Sequence, residues 1–233
     1  ETLKTFKKDV DALIDKGEKK EVAIMQIIQK YVVESKKVLF EGDGYSEAWA
    51  NEAEKRGLQN VKTTPLALDA YVTEKAKKLF ANNDIYSHSE LEARHEIMLE
   101  EYIKKVQIEA RIMGELATTF IFPSAVKYQN ILINNVKGLK EAGLKEPAYA
   151  NQVQLLEAIS NHISILGDSV EKMIEERKIA NELTDTRAKA IAYCEKVKGQ
   201  YFDVIRYHVD KLELIVDDAH WLLPKYREML FLR

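Results

Sequence analysis

The chain has 233 residues, 46% hydrophobic and 31% charged, so it is long enough to bury a sizeable core in one large domain or two small ones. A formal net charge of −3 argues against nucleic-acid binding, and no apolar run approaches the ~20 residues that a membrane span needs. The single cysteine, Cys194, excludes an internal disulfide and fits a reducing, cytoplasmic compartment.

The amino-terminal part of the chain predicts two helices joined at a glycine. Nine glycines and four prolines are few for a chain of this length, which favours helix throughout. Apolar residues at helical spacing predict a helix over 2–16, and Gly17 is the residue type that commonly ends one. The same spacing predicts a second helix over 19–40.

The next segment predicts a corner between helices. Ser46 is a good N-cap for a short helix that ends at Gly57. Thr64 and Pro65 then mark another helix start, because proline at the first helical position removes no hydrogen bond that the helix uses. Residues 41–64 are therefore expected to form a compact corner with one short helix inside it.

Three long apolar rows with three-four spacing make up the rest of the chain. The motif SHSE, residues 87–90, is a capping box that predicts the start of the first long helix. Pro123 is expected to break or kink this helix, and GLKEP, residues 143–147, is a turn. The rows run from Leu99 to Phe120 with a continuation over 124–140, from Tyr149 to Met173, and from Ala190 to Ile215.

We therefore predict an all-α fold, since no stretch alternates with period two for more than a few residues. The architecture is expected to be an elongated antiparallel bundle of long helices, with the short-helix corner at about 41–64, in a single helical domain over 1–233. Two rows of small residues predict close approach of neighbouring helices rather than a functional cavity: Ala110, Gly114 and Ala117, and Ser160, Ser164 and Gly167.

The stretch Gly42-Asp43-Gly44 resembles a phosphate-binding loop, because it follows an apolar run and precedes a predicted helix. It lacks the third glycine of a dinucleotide loop and the lysine of a P-loop, and the run before it has helical period. Glu41, Asp43 and Glu47 would also repel a phosphate. We interpret Gly42 as a left-handed C-cap and Asp43-Gly44 as a turn.

Other candidate chemistry is sparse. Glu92 and His95 form one Glu-x-x-His pair, the spacing of metal ligands in di-iron bundles, so a metal-binding bundle enzyme is one alternative and a helical interaction scaffold is another. His208 and Cys194 fall on the third apolar row, where we expect a buried histidine with one hydrogen-bond partner and a small core residue. The residues therefore assign no catalytic, cofactor-binding or metal site.

Long ordered blocks of the sequence resemble the carboxyl-terminal region of type III glutamine synthetases. The blocks are GDGYSEAWANEAEKRGLQN, TTPLALDAYVTEKAKKLF, YSHSELEARHEIMLEEYIKKVQIEARIMGELA, YQNILINNVKGLKE and DKLELIVDDAHWLLPKYREMLF. The resemblance covers nearly the whole chain and is weakest over residues 1 to about 36.

This resemblance implies a bacterial, cytoplasmic parent enzyme that ligates ammonia to glutamate with ATP and divalent Mg or Mn, assembled as two stacked hexameric rings. The catalytic domain is absent from this sequence, and a start at Glu1 without Met fits an excised domain. The fragment is then expected to hold no cofactor, to be inactive alone and to have a structural, assembly or regulatory role. Its expected partners are its own catalytic domain and neighbouring subunits of the dodecamer, with no nucleic acid and no membrane.

The corner supplies the candidate contact residues for such a partner: Gly42, Gly44, Tyr45 and Trp49. Tyrosine and tryptophan beside a turn are residue types that anchor interfaces. An equally weighted alternative is that both aromatic side chains plug the end of the bundle.

Overall fold

The computed structural model describes residues 2–231, and all regular elements in that range are helices, which confirms the all-α fold. The α-helices are α1 (Thr2–Ile14), α2 (Lys20–Glu34), α3 (Glu47–Lys55), α4 (Thr64–Leu68), α5 (Glu74–Ala81), α6 (His88–Leu116), α7 (Phe122–Glu141), α8 (Ala150–Glu182), α9 (Thr186–Ala192), α10 (Gly199–Ile215) and α11 (Tyr226–Met229). Two π-helical segments, Ala117–Ile121 and Tyr193–Lys198, join α6 to α7 and α9 to α10.

Contacts between backbone segments divide the chain into two compact units. The first comprises the residues up to 62 together with 73–88, and the second comprises 63–72 together with the residues from 89 onward. The first unit therefore holds residues 41–62 of the predicted corner, and the second holds the last two residues of the corner and the three long apolar rows.

The first unit begins with an antiparallel pair, α1 and α2. Phe6 meets Tyr31 edge to face at 5.6 Å between ring centroids, and Asp9 pairs with Lys30 at 3.3 Å, so residues early in α1 lie beside residues late in α2. Gly17 turns the chain between them with φ +98, as the sequence predicts. A small core of Val10, Ala23 and Ile27 holds the pair together.

The second helix is shorter than predicted, because α2 ends at Glu34 and a 3₁₀ turn over 36–38 replaces its last residues. Arg56 contacts the segment that follows the helix. Its guanidinium donates to the backbone oxygen of Leu39 at 2.6 Å, so a side chain satisfies a carbonyl beyond the helix end. The α-helix ends at Glu34, although helical spacing of apolar residues continues to residue 40.

The second unit is built on three long helical rods. The first rod runs from α6 through a π segment to α7, the second is α8, and the third runs from α9 through a π segment to α10. Cross-rod hydrogen bonds give their directions: α7 to α8 by Gln129–Ser160 and Asn135–Gln152, α6 to α8 by Gln107–Asn181, and α8 to the third rod by Asn181–Tyr193 and His162–His208. The second rod is therefore antiparallel to both others, as predicted for a bundle.

The helix continues through Pro123, so the proline does not break it, and a break was one of the two outcomes that the sequence predicted. A π turn over Ala117–Ile121 precedes the proline, and the Phe122 N–H donates to the Ala117 oxygen, five residues back. The Ser124 hydroxyl donates to the Phe120 oxygen at 2.7 Å. The wider turn accommodates a residue without an N–H, so the first rod is helical from 88 to 141.

The core of this unit follows the predicted apolar rows. Its fully buried side chains include residues from all three rods: Leu99 and Val106, Ile159, Leu166 and Met173, and Tyr193, Val197, Ile205 and Leu212. The small residues Ala110, Gly114 and Ala117 are also buried there, which supports the predicted close approach of helices.

Candidate functional site

The predicted corner is a turn followed by a capped helix. The Tyr45 N–H donates to Asp43 Oδ1 at 2.9 Å, and the Ser46 hydroxyl donates to the Asp43 backbone oxygen at 2.7 Å. Ser46 Oγ accepts from the Trp49 N–H at 3.2 Å, so Ser46 caps α3 as predicted. The Asp43–Gly44 turn is thus held by aspartate and serine hydrogen bonds within the chain.

Gly42 is not the left-handed C-cap that the sequence predicts. It lies eight positions beyond the end of α2, and its φ is outside the left-handed region in which Gly17, Gly57 and Gly143 lie. A Cβ at Gly42 would lie 2.8 Å from the Phe40 ring. The backbone at Gly42 therefore lies close against the Phe40 ring, and a side chain at this position would require the ring to shift.

The two aromatic residues of the corner differ in their surroundings. Trp49 is half-buried, stacked on Phe40 with ring centroids 4.5 Å apart, and the Arg56 guanidinium lies 5.6 Å from its ring centroid. Tyr45 is fully exposed at 102%. Trp49 is thus held in place by its neighbours, while Tyr45 projects from the turn and fills no space among the described residues.

Arg56 links the parts of the corner. Its Nε donates to Glu52 Oε1 at 2.8 Å, one turn earlier on α3, while its Nη1 donates to the Leu39 oxygen. The hydrogen bond from Arg56 holds the pKa of the Glu52 carboxyl below its ordinary value. The Arg56 guanidinium therefore contacts the end of α3, the Trp49 ring and the extended backbone at Leu39.

A cleft of about 540 Å³ opens beside this arrangement. Its walls are both polar and apolar, and they include Gly44, Tyr45, Trp49, Asn60 and Lys62. Glu47 also lines it, so one acidic and one basic side chain face the same space. Acidic groups at the glycine turn and at the start of α3 disfavour a phosphate here.

Glu92 and His95 both lie on α6, and the carboxylate that His95 contacts is that of Asp69. His95 Nε2 is 3.4 Å from Asp69 Oδ1, and Arg187 grips the same carboxylate with two nitrogens, at 2.8 and 2.6 Å. The hydrogen bonds from Arg187 lower the pKa of Asp69. Among residues 2–231 no group of three or more His, Cys, Asp or Glu side chains is arranged to hold a metal ion.

His208 has the single polar partner expected of it, and that partner is His162 on the neighbouring rod. The two Nδ1 atoms are 2.8 Å apart, and burial lowers the pKa of both imidazoles. Sequence reasoning missed His162, which lies 46 residues away, since only the antiparallel pairing of α8 and α10 brings the rings together. Cys194 is half-buried and adjoins Tyr102, whose pKa is raised by burial and by this thiol.

The described helices include none long and apolar enough to cross a membrane.

Comparison with known proteins identifies the family. The model of the glutamine synthetase C-terminal domain matches residues 23–140, about half of the chain. A glutamine synthetase of Bacteroides fragilis (strain YCH46) is 42% identical over 233 residues, covering 98% of this chain and 32% of that protein. A type-3 glutamine synthetase of Dictyostelium discoideum is 31% identical, covering 92% and 29%, and a glutamine synthetase of Butyrivibrio fibrisolvens is 27% identical, covering 92% and 30%.

The chain thus spans about a third of the length of the curated relatives that it matches. The match runs through the corner and the first long rod, which carry most of the resemblance read from the sequence, while the closing block over 210–231 lies outside it. The chain belongs to the glutamine synthetase C-terminal domain family.

Proposed function

We propose that this chain is the non-catalytic, carboxyl-terminal helical domain of a type III glutamine synthetase and acts in the assembly of that enzyme. The observation that supports this is the family match combined with coverage of only 29–32% of the relatives. The parent would be a cytoplasmic enzyme that ligates ammonia to glutamate with ATP and a divalent metal, Mg or Mn. Those ligands would bind in its catalytic domain, and this domain would be inactive alone.

The proposed partners are the catalytic domain of the same chain and neighbouring subunits of a dodecamer. The corner supplies a plausible contact geometry, because Tyr45 is fully exposed while Trp49 beside it is fixed by Phe40 and Arg56. A rigid aromatic support next to a projecting tyrosine offers contact area with little side-chain entropy to lose. Gly42 and Gly44 keep the turn free of side chains that would hinder a partner's approach.

The experiment is a comparison of the full-length parent with two tyrosine variants. Tyr45→Ala is expected to weaken assembly of the rings, because it removes a side chain that touches little within its own domain. Tyr207→Ala is the matched control, since Tyr207 is also exposed, at 55%, but belongs to α10 in the second unit. Light scattering after size-exclusion chromatography measures the assembly, and the rate of glutamine formation measures the activity.

Equal behaviour of both variants and the parent contradicts the corner as a contact. A broader test adds residues 1–233 to a parent truncated before this domain. Restored binding, assembly or activity supports the proposed role, whereas no binding and no change in assembly or activity contradicts it.

A further inference from the structure

The second helix of the chain is apolar around most of its circumference. Nine of the 15 residues of α2 are apolar or aromatic: Val22, Ala23, Ile24, Met25, Ile27, Ile28, Tyr31, Val32 and Val33. With 100° per residue these nine side chains cannot share one face. A helix that is hydrophobic nearly all round is typical of one buried on more than one side.

Among the residues that the structure describes, α2 is buried on the side that faces α1. Ala23 and Ile27 are buried against α1, with Ile24 and Tyr31 packed around them. The opposite side carries five apolar side chains that are 40–62% exposed, and we call it the outer face of α2: Val22, Met25, Ile28, Val32 and Val33. Within the described residues, the side of α2 opposite α1 is therefore apolar and exposed.

An apolar groove runs beside this outer face. It has a volume of about 350 Å³ and is lined by side chains of both helices and of the segment after them: Leu3, Phe6, Ile28, Tyr31, Val32 and Leu39. Leu3 and Leu39 are 83% and 58% exposed. The groove and the outer face share Ile28 and Val32, so they form one continuous apolar surface.

Two helices of this size need a further layer. The α1–α2 core contains three buried residues, and helices of 13 and 15 residues are marginal in water on their own. Covering the outer face would remove its apolar side chains from water, and the hydrophobic effect would then stabilise the helix pair.

We propose that the outer face of α2 docks the part of the glutamine synthetase polypeptide that precedes this domain. This rests on the proposed function. The relatives extend over about three times the length of this chain, and the family is a carboxyl-terminal domain, so the remaining length lies ahead of it. The α1–α2 pair is the element nearest to that portion along the chain, and a short tether gives it a high effective concentration.

The experiment is photo-crosslinking in the full-length protein from two positions on the same helix. A photoreactive amino acid replaces Val32 on the outer face or, as the control, Glu34, which is exposed and lies on the opposite side, because two residues rotate a helix by about 200°. Mass spectrometry then identifies the residues joined to each probe. Crosslinks from position 32 to the portion ahead of this domain, absent from position 34, are expected.

Three results overturn the proposal. Crosslinks from position 32 to the same helices of a second copy, or to residues 89–231, identify a different occupant. Equal crosslinking from both positions shows that the outer face has no preference, and no crosslink from position 32 shows that it stays open.

The proposed function has a separate readout, because it is tested by the assembly and activity of the truncated parent. If position 32 crosslinks to the preceding portion but the truncated parent still assembles normally, only the assembly role is contradicted. If the truncated parent fails to assemble but position 32 crosslinks to a different occupant, only the docking is contradicted.

Discussion

Two glycines inside the long rods give opposite predictions for the same substitution. A Cβ built on Gly114 would lie 3.7 Å from Val170 Cγ1 and 3.8 Å from Met173 Cε, which is ordinary van der Waals contact. A Cβ built on Gly167 would lie 3.0 Å from Phe122 Cζ, which is too close without a shift of the ring. The space available, rather than helix propensity, therefore decides the effect of alanine.

The magnitude for Gly114→Ala follows from two gains. Alanine removes the penalty of glycine inside a helix, about 1 kcal/mol, and the new methyl group is buried between α6 and α8, worth about 0.8 kcal/mol. The free energy of unfolding should rise by about 1–2 kcal/mol, which corresponds to a few °C in Tm for a chain of this size.

The magnitude for Gly167→Ala is set by crowding. The same gain in propensity is offset by overpacking against Phe122, which typically costs about 1–3 kcal/mol. We expect no stabilisation and a net loss of up to about 2 kcal/mol. Adding Phe122→Leu should recover part of this loss, because the smaller side chain leaves the methyl group room.

Urea unfolding followed by circular dichroism measures both variants against the parent chain, with thermal unfolding as the second readout. A stabilisation of similar size in both variants would show that the Phe122 ring yields freely. If Gly114→Ala is less stable than the parent chain, the reasoning is refuted. Such a loss would mean that α6 and α8 lie closer together than the distances from Gly114 to Val170 and Met173 indicate.

Three further predictions concern polar contacts of the second unit. Burial lowers the pKa of His162 and His208 in the fold, so stability should be greatest above their ordinary value of 6.5 and fall as pH drops below it, when the unfolded chain takes up protons first. His162→Gln should flatten this fall in a series of urea titrations, and an unchanged slope would contradict it. Arg187→Ala removes the two-pronged pair with Asp69 and should lower the free energy of unfolding by about 0.5–1 kcal/mol, since both side chains are partly exposed. Tyr193→Phe removes a hydroxyl that is fully buried and bonded across to α8, so a loss of about 1 kcal/mol is expected, and no loss would show that the bond is replaced.

Much of the architecture follows from local pattern. The rows at Leu99, Ile159 and Leu212 predict the faces that are buried, because three-four spacing places apolar side chains on one side of a helix whatever lies beyond it. Ser46 and Gly17 cap and end their helices as predicted, since these roles depend on hydrogen bonds and backbone angles within a few residues.

The candidate contact site was predictable as a turn with two aromatic residues, and less so in its geometry. From the sequence, Tyr45 and Trp49 were equally good candidates for a contact residue. The fold separates them, because Phe40 and Arg56 approach one ring and leave the other in solvent. The packing of Gly42 on the Phe40 ring depends on the path of the backbone between them, and the contact of Arg56 with Leu39 joins residues 17 positions apart, so neither is visible in the apolar pattern.

The sequence by itself determined that this chain is helical, where its long helices bury their apolar rows, and which family it belongs to, because periodicity, caps and family motifs are properties of neighbouring residues. Only the tertiary structure decided that a π turn precedes Pro123 and that His162 contacts His208. It also decided that Arg187 forms hydrogen bonds with Asp69, 118 residues away. A repeating pattern states which face of a helix is buried. The identity of the group that meets it depends on the register between helices, and that register is set by packing across the whole unit.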